Sequence, residues 1–261
     1  MRPARVAGGL CLAGLALAWL VAAISGYDPV LDVHPQAAEL GPSAAHWLGT
    51  DHLGRDVLMR LLLASHSFVG PGLLACGVAL GVALPLGALA GYLGGAPAAA
   101  LRLPLLSVAS VPRFVWVLLA VTVLEPIPTV LALSVGLAYA PALAGALEAR
   151  IEGLRRAEFV LAARAHGYTD ANILLHQILW VNCRRLVARH LLHLFGFFLA
   201  LETSLSYIGS FGVVEPTPSW GNMLAFSFGR PGLGALASAL AIWGASLGLG
   251  LLAGELERAD G

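Results

Sequence analysis

Six long apolar stretches constrain the fold more than any other feature of this sequence. A bilayer hydrocarbon core about 30 Å thick requires roughly 20 apolar residues of helix to cross it. The stretches of about that length are Val6–Ile24, Val69–Leu93, Leu103–Leu124, Ile127–Leu147, Leu191–Ile208 and Leu233–Ala253. Only 11% of the residues are charged, which is typical of a polytopic membrane protein. The sequence therefore predicts an all-α membrane protein with about six transmembrane helices.

The arginines predict how these helices are oriented. With an inside N-terminus, eleven arginines fall in inside segments, seven of them between Arg150 and Arg189, and three fall in outside segments. This asymmetry follows the positive-inside rule, so both termini are expected in the cytoplasm. The predicted regions are an N-terminal transmembrane helix (1–25), an extracytoplasmic segment with an amphipathic helix (26–68), a five-helix core (69–253) with a cytoplasmic loop (150–185), and a cytoplasmic tail (254–261).

All fifteen basic residues are arginine, and the absence of lysine excludes several activities. A P-loop requires a lysine that reaches the nucleotide phosphates, so the chain by itself is not a P-loop ATPase. A membrane-embedded hydrolase would need a nucleophile and base, or a metal cluster, at bilayer depth, and HExxH does not occur. A non-catalytic chain is therefore predicted.

The histidines do not form a recognisable metal motif. His190 and His193 share a helix face, but a metal site normally needs three or four ligands, and no acid or cysteine joins them locally. No metal site is predicted. Nickel or zinc binding in the outer segment stays an alternative because of four scattered histidines: His34, His46, His52 and His66.

The outer segment contains a predicted amphipathic helix. Thr50 or Asp51 can cap a helix that runs from His52 towards Ser67. An apolar stripe at helical spacing then lies opposite three charged residues; the stripe is Leu53, Val57, Leu61 and Ala64, and the charged residues are Arg55, Asp56 and Arg60. Such a helix would lie on the outer membrane surface, either as a structural elbow or in contact with substrate.

The most hydrophilic stretch is EFVLAARAHGYTDANILLHQILW, residues 158–180. Good helix formers precede Gly167, which suits the left-handed residue that ends a helix. Thr169 or Asp170 can cap a second helix. Ala162 and Ala163 lack bulk, so a partner could approach the first helix closely. The pattern predicts a helix–turn–helix on the cytoplasmic face, with an amphipathic loop at the lipid headgroups as the alternative.

This stretch resembles the cytoplasmic EAA loop of ATP-binding cassette (ABC) importer permeases. The matching residues are Glu158, Phe159, Val160, Ala162, Ala163, Arg164, Ala165 and Gly167, followed by Ile178 and Leu179. Two residues depart from the pattern, because Leu161 replaces a frequent acid and Trp180 replaces a usual proline. In members of this family, the loop inserts into a cleft of a separate ATPase subunit. The resemblance implies that the residues coupling to the ATPase are Glu158, Ala162, Ala163, Arg164, Gly167, Tyr168 and Asp170.

Two outer segments resemble dipeptide, oligopeptide and nickel permeases. They are HWLGTDHLGRDVLMRLL (46–62) and SLSYIGSFGVVEPTPSWGNML (204–224), in which Glu215 stands where a proline is usual. The outer-face motif residues are Gly49, Thr50, Asp51, Gly54, Arg55, Asp56, Pro218, Ser219, Trp220 and Gly221. The resemblance implies the type I importer (MetI-like) fold and the C-type subunit of a permease pair. It places the 210–230 loop near a substrate-binding protein. The alternative is that Trp220 only anchors the loop at the membrane interface.

The function implied is that of a permease subunit in a bacterial cytoplasmic (inner) membrane importer for dipeptides, oligopeptides or a related solute. The implied partners are a second homologous permease, one or two ABC ATPase subunits that bind ATP and Mg²⁺, an extracytoplasmic substrate-binding protein and membrane lipid, with no nucleic acid. The chain itself is expected to hold no cofactor. A nickel or metal-chelate importer is one alternative, and a stand-alone proton-coupled carrier is another.

Two charged residues fall within predicted spans. A carboxylate at the centre of a membrane helix costs about 2.5 kcal/mol or more unless it is paired or hydrated, and Glu202 lies in the fifth stretch. Arg113 lies in the third stretch, directly after Pro112. Each residue either lines the translocation path or joins two helices, and pairing between the two stays open.

Overall fold

The computed structural model describes residues 3–125, 127–209, 211–230 and 232–258. Arg2 and residues 259–261 of the predicted tail lie outside these ranges. The helices are α1 (Pro3–Ile24), α2 (Val57–Leu63), α3 (His66–Leu93), α4 (Gly95–Ala109), α5 (Arg113–Leu124), α6 (Pro128–Leu154), α7 (Glu158–Ala165), α8 (Asp170–Asn172), α9 (Arg184–Ile208), α10 (Trp220–Ser227) and α11 (Gly234–Arg258). A 3-10 turn occupies Pro35–Ala37, and a π-helical stretch, Ile173–Cys183, joins α8 to α9. The described part of the chain contains no strand longer than an isolated bridge.

The membrane-spanning helices confirm an all-α polytopic fold. Five continuous helical segments of the described chain are long and apolar enough to cross a bilayer: Ala4–Ile24, Val57–Leu93, Pro128–Leu154, Asp170–Ile208 and Gly234–Arg258. The predicted span over Leu103–Leu124 is not one continuous helix. The chain forms two helices there, α4 and α5, which meet at an angle of 70°. Pro112 explains the break, because it lacks an N–H donor and disfavours helical geometry in the preceding residue.

Helices α3 and α6 pack closely along much of their length and form the centre of the bundle. A Cβ atom on Gly87 would lie 2.5 Å from the carbonyl oxygen of Ala144, and one on Gly136 would lie 2.6 Å from that of Ala75. Glycine at these positions therefore allows the two backbones to touch, as small residues do in membrane helix pairs.

Helix α1 packs beside α11 at one side of the bundle. A Cβ atom on Gly8 would lie 2.7 Å from Cγ of Leu252, so the start of α1 lies beside the end of α11. An ion pair of 3.3 Å between Arg189 and Glu257 holds that end of α11 next to the start of α9. Both described chain ends therefore lie at the same end of the bundle as the loop that precedes α9.

Candidate functional sites

The loop between α6 and α9 has the predicted helix–glycine–helix form. Helix α7 ends at a left-handed residue, Gly167, with φ of +80°. The amide of Gly167 donates to the carbonyl of Arg164 at 3.0 Å, and the amide of Tyr168 donates to that of Ala163 at 3.1 Å. These two bonds satisfy carbonyls that a helix end leaves free. Thr169 then caps α8 by accepting a hydrogen bond from the amide of Asn172 at 3.3 Å.

The two alanines of this loop differ in exposure. Ala162 is exposed, whereas Ala163 is only 6% exposed and packs in the inner hydrophobic core with Val160, Ile173 and Ile178. The small side chain of Ala163 therefore serves packing within the chain itself. Of the pair, only Ala162 is accessible to a partner.

A cluster of three polar side chains fastens the loop to α3. The guanidinium of Arg164 lies 3.2 Å from the carboxylate of Asp170. The hydroxyl of Tyr92, in the last turn of α3, donates to Asp170 at 2.5 Å and accepts from Arg164 at 3.0 Å. Sequence reasoning named Arg164 and Asp170 but missed Tyr92, which is 72 residues away from Arg164.

An open groove of about 630 Å³ lies beside α7. Its lining includes Phe159, Tyr168, Asn172, His176 and Val181. The residues that depart from the family pattern, Leu161 and Trp180, are 56% and 64% exposed. Glu158 is also exposed, in the first turn of α7. This end of the molecule therefore presents exposed apolar side chains beside the exposed charge of Glu158.

The opposite end contains a buried cluster of two arginines and two acids. Nε of Arg55 donates to Asp51 at 2.8 Å, and Nη2 of Arg55 lies 3.0 Å from both carboxylate oxygens of Glu215. Nη2 of Arg60 donates to Glu215 at 2.8 Å, and its Nε lies 3.4 Å from Asp51. The two arginine side chains are only 1% and 2% exposed. The cluster joins the outer segment and α2 to the loop after α9.

This cluster corrects the predicted amphipathic helix. Helix α2 begins at Val57, and its N-cap is Asp56, which accepts from the amide of Met59 at 2.9 Å. The preceding chain turns at Gly54, with φ of +76°, where a Cβ atom would overlap the carbonyl of His34. Consequently Arg55 and Arg60 do not form a solvated face. The helical pattern of the sequence predicts that Arg55 and Arg60 are exposed, because it cannot include their acidic partner Glu215, which is remote in sequence.

Thr50 and Asp51 stabilise the turn before α2 rather than capping the helix. The Thr50 hydroxyl accepts from the amide of Leu40 at 2.9 Å, and Gly49 adopts φ of +79° beside it. Burial by itself would raise the pKa of Asp51. Hydrogen bonds from the amides of Arg55 and Leu53, together with nearby guanidinium charges, outweigh burial and hold the pKa of Asp51 below its ordinary value.

The motif around Trp220 is part of the core. Ser219 caps α10 by accepting from the amide of Asn222, and the side chain of Asn222 accepts in return from the amide of Ser219. Trp220 is 4% exposed, its ring lies 4.6 Å from that of Phe68, and its Nε1 donates to the carbonyl of Leu61 at 3.0 Å. Trp220 is therefore not the exposed interfacial anchor of the alternative prediction.

Two neighbours of Trp220 are also buried. Pro218 lies inside the loop, and a Cβ atom on Gly221 would overlap the carbonyl of Thr203. The predicted outer-face residues of the two segments, 46–62 and 204–224, are thus brought together around α2, α10 and the end of α9.

The two charged residues in the predicted spans have separate surroundings. Glu202 is 1% exposed and accepts a hydrogen bond from the Ser206 hydroxyl at 2.8 Å. Arg113 lies over the ring of Tyr139, 4.8 Å from its centre. Neither residue forms an ion pair with the other.

The outer histidines do not converge. His46 lies 2.8 Å from Asp56, and His52 lies 4.0 Å from Glu215. Within the described ranges, no three histidine, cysteine, aspartate or glutamate side chains are grouped so that they could hold a metal ion.

The apolar spans and the central α3–α6 pair define a multi-pass membrane protein, with the helix–turn–helix loop at one end of the bundle. No family model matches the sequence. The chain is 30% identical over 220 residues to the nickel transport system permease protein NikC of Escherichia coli K12, covering 82% of this chain and 78% of the relative.

Two further relatives have related descriptions. The dipeptide transport system permease protein DppC of Alkalihalophilus pseudofirmus is 27% identical over 224 residues, 84% of this chain and 73% of the relative. The glutathione transport system permease protein GsiD of Pectobacterium atrosepticum is 31% identical over 187 residues, 70% of this chain and 60% of the relative. The chain belongs to the dipeptide/nickel ABC transporter permease family, and it is a permease subunit of an ABC importer.

Proposed function

We propose that this subunit forms, with a second homologous permease, the membrane path of an importer for dipeptides or oligopeptides. One or two ABC ATPase subunits bind ATP and Mg²⁺ and supply the energy, and an extracytoplasmic binding protein delivers the cargo. The chain itself is non-catalytic. Relatives described as dipeptide and glutathione permeases support peptide cargo.

The exposed helix α7 is the observation that supports coupling to an ATPase. Ala162 leaves space for a close approach on its accessible face, and the apolar side chains of Phe159 and Leu161 lie beside it. The Tyr92–Arg164–Asp170 cluster connects this loop to α3, which packs along α6. Displacement of α7 by a closing ATPase would therefore move the central helix pair.

The arginines of the same loop support an orientation of the chain in the membrane. Seven arginines lie between 150 and 189, and the described chain ends lie at that end of the bundle. By the positive-inside rule, we propose that this end lies in the cytoplasm. We also propose that the chain lies in the inner membrane of a bacterial cell. The buried ion cluster around Glu215 then faces the outside, where the binding protein docks.

A nickel chelate is the second candidate cargo, because one relative at 30% identity is described as a nickel permease. A chelated metal arrives with its ligands already supplied, so such a cargo requires no metal site in the permease. Uptake assays with dialanine and with nickel–histidine in membrane vesicles containing the complete importer distinguish the two candidates.

The coupling role is tested by Ala162→Arg in the full-length tagged chain. A long charged side chain on this exposed face should abolish co-purification of the ATPase subunits in mild detergent, along with vanadate-sensitive ATP hydrolysis. Ala44→Arg is the matched control, because Ala44 is also exposed but lies in the outer segment. ATPase retention by the Ala162 variant, or the absence of ATPase from the wild-type preparation, would reject the proposal.

A further inference from the structure

The break between α4 and α5 places a charged side chain deep in the bilayer. Arg113 is the first residue of α5 and lies over Tyr139. Tyr139 is eleven residues from the start of α6 and fifteen from its end, so at 1.5 Å per residue it lies roughly 16 Å and 22 Å from those ends. The guanidinium is therefore near the middle of a hydrocarbon core about 30 Å thick.

Arg113 is exposed, and it pairs with no acidic side chain of the described residues. An arginine at the centre of a membrane helix costs about 2.5–3.5 kcal/mol or more when it faces lipid, and such residues usually face a bundle interior or a water-filled cavity. Contact with the aromatic face of Tyr139 offsets only part of this cost. Arg113 is therefore expected to face an aqueous path.

Two neighbouring cavities lie near Arg113, and among the described residues the guanidinium is the only charged group in their walls. The first has a volume of about 370 Å³ and is lined by Pro112, Arg113 and Pro141. The second has a volume of about 470 Å³ and is lined by apolar side chains that include Trp116, Leu133 and Leu137. Ala138 lines both. These two neighbouring cavities, referred to below as the groove, have Arg113 at one end and apolar side chains at the other.

We infer that this groove is a cargo subsite on the translocation path, in which Arg113 binds a carboxylate and the apolar end accepts a hydrophobic side chain. The inference rests on the proposed importer function and adds a substrate class, namely small amphipathic anions such as peptides with a free C-terminal carboxylate. The charge of the guanidinium supplies the selectivity, because the rest of the groove wall is largely apolar.

The test measures binding to the complete importer in lipid nanodiscs. The probes are dansylglycine and dansylglycinamide, which share an apolar ring system and differ in the carboxylate. Fluorescence titration should give at least tenfold tighter binding of the acid than of the amide. Arg113→Gln should abolish that difference, and Arg113→Lys should retain most of it. Arg102→Gln is the control, because Arg102 pairs with Glu148 away from the groove.

The outcomes separate this inference from the proposed function. Equal binding of the two probes by an importer that assembles and hydrolyses ATP overturns the subsite alone. Loss of the second permease from the Arg113→Gln complex also overturns it, because Arg113 would then be an intersubunit contact. A wild-type chain that recovers no ATPase or second permease overturns the importer proposal and the subsite with it.

Discussion

Removal of the Glu215 charge should destabilise the outer end of the molecule. Glu215 accepts from both Arg55 and Arg60, whose side chains are almost completely buried. Hydrogen bonds to charged groups contribute about 1.5–3 kcal/mol each, and loss of one partner of a buried ion cluster costs about 3–5 kcal/mol when no other partner remains. Asp51 still pairs with both arginines in Glu215→Gln, so we expect a loss of about 2–3 kcal/mol.

A thiol-reactive coumarin maleimide measures this loss, because Cys76 and Cys183 are buried and react only as the chain unfolds. At roughly 2–4 °C per kcal/mol for a chain of this size class, Glu215→Gln should lower the apparent Tm by roughly 4–12 °C. Glu39→Gln is the matched control, since Glu39 lies 3.9 Å from Arg230 on the same face with both side chains at least 40% exposed.

An exposed pair contributes little, so the control should shift the Tm by only about 1–2 °C. Equal shifts for the two variants would refute the reasoning that burial of the arginines gives the cluster its stabilising effect. Glu215→Pro, which installs the usual family residue, should be at least as destabilising here, because proline has no side-chain oxygen to accept from the two arginines, whereas glutamine retains one.

Three further predictions follow from the packing, the loop cluster and the outer turn. Gly87→Ala should destabilise the chain by about 1–3 kcal/mol through overpacking against Ala144, whereas Gly81→Ala, with open space around it, should not; the same thermal assay compares them. Tyr92→Phe removes the hydroxyl that joins the loop to α3, so uptake per ATP hydrolysed should fall several-fold while ATPase binding persists, and an unchanged ratio would contradict the mechanical link. The pKa of Asp51 lies below its ordinary 3.8, so its stabilising contribution is complete above pH 3.8 and is lost as pH falls through the lowered pKa. In thermal unfolding from pH 7 to pH 3, the wild-type Tm should fall at acid pH, whereas Asp51→Asn should already have the lower Tm at neutral pH.

The loop between α6 and α9 shows which features can be predicted locally. The glycine that ends α7 and the threonine that caps α8 each bond to a backbone group three residues away, so their roles follow from residue type and spacing. The face that each alanine presents was not predictable in the same way. Ala163 is buried because α7 lies on the π-helical stretch that follows the turn, and that packing depends on the path of the whole loop.

Long-range contacts account for the remaining differences. Apolar length alone located the five continuous spans and determined the all-α class, because backbone groups in lipid must be satisfied within each helix. Pro112 marked an interruption, but the 70° bend and the position of Arg113 over Tyr139 depend on how α5 packs against α6. Glu215 lies 155 residues beyond Arg60 in sequence. Only the tertiary structure brings the two together. Arg60, which the sequence pattern predicts as solvated, is therefore buried and paired, because burial and ion pairing depend on distance in space.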